Sequence, residues 1–402
     1  MKEGGAGRWE RVSAVWLGLT LCVATLIQWV PGRWLNPSLY LTSLLALGAA
    51  WAAAVVLRPE KMRWSFPLAP LAVAAAWGLF QLLTGHTVNR WNTWMAVLNW
   101  TAYLAVFFAA SQACGSPGAR KRMLQALLGF GFVLGVVSVL QYFSAGGKIF
   151  WAYQPYVGDI LGPFVSRDRF AAFIELLLPI AVMGALRRGA LLRNAVMGAA
   201  MLASVIAGAS RAGALLATAE IAAVLAIAWI GGRSSKSNLR SAAATLSVAG
   251  IVFGAVVGWV VLWNRLQDPD PFAGRREILL SGLSMVRDRP VLGFGLGNFQ
   301  TANPRYAIMD FGTVVNHAHN DWVEWAADGG IPFSLLLLSV AVWSVPRALK
   351  NPWGIGVVAV FAHSLIDFPL QDPLIAIWLF GLLGILAAER PADWRRAPAV
   401  IG

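Results

Sequence analysis

The chain has 402 residues, 58% of them apolar and only 13% charged, with 32 Lys and Arg against 19 Asp and Glu and a formal net charge of +13. A water-soluble domain carries about twice that charged fraction, which excludes an ordinary cytoplasmic enzyme, and the apolar content excludes a disordered chain. Two cysteines, Cys22 and Cys114, exclude a disulfide scaffold, and the basic residues are dispersed rather than gathered into a stripe, which excludes a nucleic-acid-binding surface. The composition is that of an all-α, polytopic integral membrane protein.

A helix needs about 20 residues to cross a hydrocarbon core of roughly 30 Å. Twelve apolar runs near that length predict membrane helices at about 13–30, 38–57, 66–84, 93–113, 123–143, 169–186, 191–209, 212–230, 241–263, 332–349, 354–368 and 372–388. With the N terminus in the cytoplasm, 20 basic residues fall on inner segments and 12 on outer ones. Six of those 12 lie in one long connection, 264–331, of a length that the positive-inside rule does not count. The comparison of 20 with 6 orients the chain with both termini cytoplasmic and the long connection outside. The first run follows Lys2, Arg8 and Arg11 but ends in Val30-Pro31-Gly32-Arg33 without a small-x-small cleavage pattern, so it reads as a retained anchor. The expected organisation is helices 1–5 in 1–150, helices 6–9 with arginine-bearing outer starts in 151–263, the loop in 264–331, and helices 10–12 with a cytoplasmic tail in 332–402.

Three outer helix starts carry arginine. Ser166-Arg167-Asp168-Arg169 opens the sixth span, Ser210-Arg211 the eighth, and Gly274-Arg275-Arg276-Glu277 a loop helix predicted over 274–287. Serine is expected at each span's N-cap with arginine at N1, and Gly274 as the loop helix's N-cap with Glu277 at N3. In that helix Leu279, Leu283 and Val286, with Ile278 beside them, predict an amphipathic face resting on the membrane or the bundle. A cation in the first turn opposes the helix dipole by some tenths of a kcal/mol, which solvation of the arginine or a bound anion would relieve. Free N–H groups and a guanidinium fork suit a lipid headgroup phosphate, or a pyrophosphate held by the arginines together.

Further along the loop, Gly293-Phe294-Gly295-Leu296-Gly297 has GxGxG spacing without a strand-turn-helix setting, so it reads as a tight turn rather than a dinucleotide site. The densest polar cluster is Asn316-His317-Ala318-His319-Asn320-Asp321-Trp322-Val323-Glu324, followed by Asp328-Gly329-Gly330: a short helix with Asn316 or Asn320 as N-cap and a glycine C-cap. His-x-His serves a metal if extended, helix-end carbonyls if structural, and general-base chemistry if one ring is held by Asp321 or Glu324. A base beside an arginine-bound pyrophosphate is the minimum equipment for moving a group from a phosphate-activated donor to a hydroxyl. Within the spans, Glu175 and Glu220 are expected to find structural partners, His363 to be a hydrogen-bonded packing residue, and the outer-loop His86 has no evident role.

On these motifs the chain resembles the O-antigen ligase and O-antigen polymerase superfamily of bacterial envelope glycan transferases. The resemblance runs from about 160 to 385: Gly162-Pro163-Phe164-Val165-Ser166-Arg167-Asp168-Arg169, then Ser210-Arg211-Ala212-Gly213, Gly274-Arg275, Pro290-Val291-Leu292-Gly293-Phe294-Gly295, His319-Asn320, and His363-Ser364-Leu365-Ile366-Asp367-Phe368-Pro369. It implies twelve membrane helices with one large periplasmic loop in the bacterial inner membrane. It also implies a glycan donor on undecaprenyl pyrophosphate, a hydroxyl acceptor such as a lipid A core sugar, membrane lipids as surroundings, and no cofactor or metal. By the same resemblance His319 is catalytic, Arg211 and Arg275 bind the pyrophosphate with Arg167 and Arg169 assisting, and Asn320 beside the histidine is a substrate-binding residue. The family pattern carries a smaller residue or tyrosine where this chain has Phe333. Polymerases and protein O-oligosaccharyltransferases share the donor machinery, whereas a transporter or flippase would place its polar residues at mid-membrane in interrupted helices. Residues 1–150 match no motif.

Overall fold

The computed structural model describes residues 4–29, 44–49, 51–52, 62–155, 160–187, 189–270 and 272–389. Among these the chain is helical and forms no strand, only the isolated bridges Ile149–Tyr153 and Leu161–Phe164. The long helices are α1 (Gly4–Ile27), α2 (Leu68–Thr84), α3 (Arg90–Ala113), α4 (Pro117–Ser144), α5 (Arg167–Ala185), α6 (Leu191–Gly208), α7 (Arg211–Ile230) and α8 (Lys236–Val257). Shorter helices follow: α9 (Val260–Leu266), α10 (Arg275–Asp288), α11 (Phe299–Ala302) and α12 (Asp321–Gly329). The chain then returns to the bundle as α13 (Ile331–Lys350), α14 (Ile355–His363) and α15 (Pro373–Ala387).

Among the described residues six helices, α3, α4, α6, α7, α8 and α13, are long and apolar enough to cross a membrane. Shorter apolar helices run over Val12–Ile27, Leu68–Thr84, Pro352–His363 and Pro373–Ala387. Three expected spans take a different form. The second, 38–57, falls largely outside the described residues, where only 44–49 and 51–52 appear as helix. The ninth, 241–263, breaks at Gly258, whose φ of +78° ends α8 before α9 begins. The eleventh, 354–368, stops as a helix at His363, and the following residues turn away toward the loop.

Periodicity explains which helices lie at the centre. α15 is apolar on all sides, so no face prefers lipid to protein, and every residue from Leu374 to Leu386 is buried. Its Trp378 packs on Phe173 of α5 and stacks on Phe130 of α4. α5 is buried from Phe170 to Val182 around Glu175. α14 approaches α5 so closely that a Cβ on Gly356 would lie 2.3 Å from the Glu175 carbonyl oxygen, which only glycine permits. α8, by contrast, buries only Ala242, Leu246, Gly254 and Val257. Helix caps follow the expected chemistry: Asn89, Ser116, Ser210, Ser235, Asn320 and Asp372 each accept a first-turn N–H.

The predicted stripe on α10 is rotated. Ser281, Gly282 and Met285 are buried, with Ile278 and Val286 packed against Met285, Phe294 and Phe299, while Leu280 and Leu283 are exposed. The small residues Ser281 and Gly282 let α10 approach α12, so size rather than hydropathy chose the inner face. Phe333 packs edge-on against Trp100 of α3 at 5.5 Å, filling with its ring the place where a smaller side chain was expected.

Candidate functional site

α5 and α7 begin, and α14 ends, at one end of the bundle, and the helices of 260–330 lie across that end. Ser166 and Ser210 occupy the N-caps as predicted, although only Ser210 caps with its side chain, accepting from Gly213 N at 3.1 Å. Arg167 and Arg211 stand at N1. Asp168 ties the starts together: its Oδ1 accepts from Ser210 Oγ at 2.6 Å and its Oδ2 lies 3.5 Å from Arg275 Nη2. Arg211 Nη1 donates to the Arg265 carbonyl and to Asp268 Oδ2, both at 3.2 Å, and Arg265 Nη1 donates back to the Ala209 carbonyl at 3.0 Å. Arg169 reaches Asp372 at 3.5 Å.

The structure thus gathers three predicted arginines, 167, 211 and 275, and adds Arg265, which sequence reasoning missed; Arg169 turns instead to Asp372 and lies over the Phe368 ring. Burial, and next the positive charge of Arg265, lowers the pKa of Arg167, and burial followed by the charge of Arg211 does the same for Arg265. Guanidinium groups that depress one another are crowded cations, the electrostatic condition that a polyanion relieves. Arg276 points elsewhere, to Asp270 and Glu277, and keeps the more exposed side chain.

His319 sits just before α12 with φ +51°, a left-handed backbone that histidine tolerates better than most residues. Its Nδ1–H donates to Asp367 Oδ1 at 3.2 Å, and its ring meets Phe368 edge-on at 4.8 Å. Asp367, rather than the expected Asp321 or Glu324, therefore orients the ring. Burial alone would raise the Asp367 pKa, but the His319 hydrogen bond and the charge of Arg275 hold it below the usual carboxylate range. An ionised acceptor at Nδ1 leaves the Nε2 lone pair available to take a proton. The imidazole joins the arginine cluster through one short connection: Arg275 Nη1 donates to the Ile366 carbonyl, next to Asp367, at 3.4 Å. Asn320 is the N-cap, accepting from Val323 N at 3.0 Å, and its amide donates to the Leu365 carbonyl at 2.7 Å, fastening α12 to the segment that carries Asp367.

The other half of His-x-His has a separate partner. His317 Nδ1 lies 2.9 Å from Glu324 Oε1, and its ring stacks on Phe368 at 4.4 Å, so each histidine has its own carboxylate. Among the described residues no three His, Cys, Asp or Glu side chains converge as a metal site would require. Burial and the charge of Arg169 push His317 down to about 4. Asp321, which accepts from Leu370 N, and Glu324, which accepts from Ala318 N, are each pushed up to about 8 by burial.

These shifts fix a pH dependence. The folded protein retains carboxyl protons that the unfolded chain loses near pH 4, so stability from Asp321 and Glu324 declines as pH rises toward about 8. His317 acts oppositely, but only below about 6.5. Unfolding followed between pH 6.5 and 8 in detergent should show stability, and with it the melting temperature, falling with pH, at up to roughly 1.4 kcal/mol of stability per pH unit for each group. Asp321→Asn, which keeps an acceptor for Leu370 N, should make that slope shallower. A flat profile in the unmodified protein would contradict the buried carboxyl assignment.

The Gly293–Gly297 turn wraps the end of α12: Phe294 N and Gly295 N donate to the Ala327 and Asp328 carbonyls, and Gly297 N to Asp328 Oδ2 at 2.8 Å. It is an architectural turn. Gly330 closes α12 with φ +83°, where a Cβ would lie 2.0 Å from the Val291 carbonyl oxygen. The unmatched N-terminal half anchors this assembly. Gln81 of α2 donates to the Leu292 and Asp328 carbonyls and accepts from Leu296 N, while Asn298 bonds Thr87, Thr93 and Asn89 N. Within the bundle, His363 Nδ1 lies 3.0 Å from Glu175 Oε1, the expected structural pairing. Glu220 is buried as well, and neither of its carboxyl oxygens has a hydrogen-bond partner among the described residues.

Residues 196–338, from α6 into α13, match the family model described as O-antigen ligase. The chain carries an O-antigen ligase domain. With it comes, in general terms, a multi-pass membrane enzyme of the ligase or polymerase type, acting between a lipid-linked glycan donor and an acceptor. The O-antigen ligase domain contains Arg211, Arg265, Arg275 and His319; Arg167, Arg169 and Asp367, which complete the same constellation, lie outside the matched stretch. No curated protein matches the chain.

Proposed function

We propose that the protein is an O-antigen ligase-like glycosyltransferase of the bacterial inner membrane, with twelve spans, cytoplasmic termini and a periplasmic site. It moves a glycan from undecaprenyl pyrophosphate to a hydroxyl such as that of a lipid A core sugar. The observation that carries this reading is the contact path from the arginine cluster to the imidazole: Asp168 to Arg275, Arg275 to the Ile366 carbonyl, and the neighbouring Asp367 carboxylate to His319. His319 Nε2 takes the acceptor proton as the acceptor oxygen bonds the anomeric carbon. The bond from that carbon to the phosphate oxygen breaks, and its electron pair leaves with undecaprenyl pyrophosphate, whose charge Arg211, Arg275, Arg167 and Arg169 balance. One displacement inverts the anomeric configuration.

The test is binding of undecaprenyl pyrophosphate to the purified protein. Arg275→Ala should weaken it by about 10- to 100-fold, as expected for a charge-assisted contact, and Arg275→Lys should restore only part, since a lysine cannot reproduce the guanidinium fork. Unchanged affinity in Arg275→Ala and in Arg211→Ala would remove the pyrophosphate assignment. A polymerase or protein-directed transferase would share this result and differ in the acceptor that becomes labelled.

A further inference from the structure

Two cavities meet at His317 and Gln371. One, of about 340 Å³, is bordered by Arg169 and Asp372 and by apolar groups including Ala24 of α1, Trp29 just beyond it and Leu374 of α15. The other, of about 260 Å³, lies on the opposite side of His317, between α3 and the loop helices, and the two have only His317 and Gln371 in common. We propose that this second cavity is a saccharide-binding subsite, holding one sugar of the donor or acceptor glycan; the assignment to a transfer substrate rests on the function proposed above.

Its walls match the chemistry of a neutral sugar. Asn92 and Asn99 on α3 and Gln371 below them present amides, each both donor and acceptor, as sugar hydroxyls are. Trp100 and Trp325, tilted toward one another with centroids 6.3 Å apart, add aromatic surface suited to the C–H face of a pyranose ring. The ionisable groups in the lining are held uncharged near neutral pH: burial raises Glu324 to about 8 and raises Asp328, while it lowers His317 to about 4. A polar cavity without net charge favours a polyol over an anion or a cation. The nitrogen of the Gln371 amide has no hydrogen-bond partner among the described residues and is covered in this position, so a rotation of the side chain into the cavity would let it donate to a ligand hydroxyl. Asn92 to Tyr103 covers three turns of α3, so the cavity follows that helix down from the loop into the bundle. Substrate contact is thereby assigned to the half of the chain that carries no recognised motif.

The test uses the full-length protein in detergent and saturation-transfer NMR with methyl β-glucoside, methyl β-galactoside and N-acetylglucosamine. At least one should receive saturation from the protein. Ala96→Phe, which fills the cavity from α3, and Gln371→Leu, which removes the unpaired donor, should each abolish or strongly reduce that transfer. Arg211→Ala should keep it while losing carrier pyrophosphate, so failure of the sugar subsite and failure of the transferase reading are told apart. No transfer to any of the three sugars, or transfer undiminished in both cavity variants, overturns the proposal. In a transfer assay, Gln371→Leu should raise the KM of one substrate by about tenfold, as loss of a hydrogen bond predicts. A rise for the acceptor places the acceptor sugar in the cavity, a rise for the lipid-linked glycan places the donor sugar there, and unchanged KM for both overturns the proposal.

Discussion

Replacing His319 with asparagine is expected to lower glycan transfer by about 100- to 10,000-fold, the range contributed by a positioned general base. Asparagine suits the test better than alanine because it tolerates the φ of +51° at this position, so loss of rate is not mixed with backbone strain. Carrier binding should persist, because the arginines are tied to Asp168, Asp268, Asp372 and neighbouring carbonyls rather than to the ring. Asp367→Asn should also lower the rate while leaving carrier affinity in place, since a neutral amide at 3.2 Å no longer stabilises the imidazolium that forms as the proton arrives. Labelled glycan on an undecaprenyl pyrophosphate donor, presented in proteoliposomes with acceptor, gives the readout. Transfer at the original rate in His319→Asn would end the base assignment whatever the arginines bind.

The second large effect concerns folding. His363→Leu should destabilise the bundle by about 3 to 5 kcal/mol, the cost of stranding one member of a buried pair, because Glu175 is fully buried and His363 is 1% exposed. The double variant Glu175→Met/His363→Leu removes both polar groups and should recover most of the loss, and Glu175→Gln, which can still hydrogen-bond the ring, should sit between them. Thermal unfolding in detergent distinguishes these cases. Equal melting temperatures for His363→Leu and the unmodified protein would show that the pair contributes nothing to stability.

Much of the site is encoded locally. Serine-then-arginine helix starts, the Asn320 cap and the glycine closure of α12 depend on neighbours within one turn, so residue spacing along the chain is enough to reveal them. Asp367 is visible in the resembling motif but not as the partner of His319, because 48 residues separate them and only the early end of α14 brings them together. Arg265 is hidden because its stretch resembles the end of a span, and the break at Gly258 that turns it into a separate short helix leaves no periodic signal. Asp321 and Glu324 are natural candidates to orient His319 by proximity in sequence. Burial instead makes them structural, one accepting from Leu370 and the other facing His317. The inner face of α10 escapes the hydropathy pattern for a related reason: hydropathy marks the larger side chains, whereas a close helix crossing selects the smaller ones.

The order of the site residues along the polypeptide has a consequence for biogenesis. Arg167 and Arg211 are synthesised early, Arg265, Arg275 and His319 later, and Asp367 last, beyond α13 and α14. A nascent chain halted by the ribosome before that point would hold the arginines and the imidazole without the carboxylate that orients the ring. The constellation around His319 is therefore complete only once the chain beyond α14 has been made.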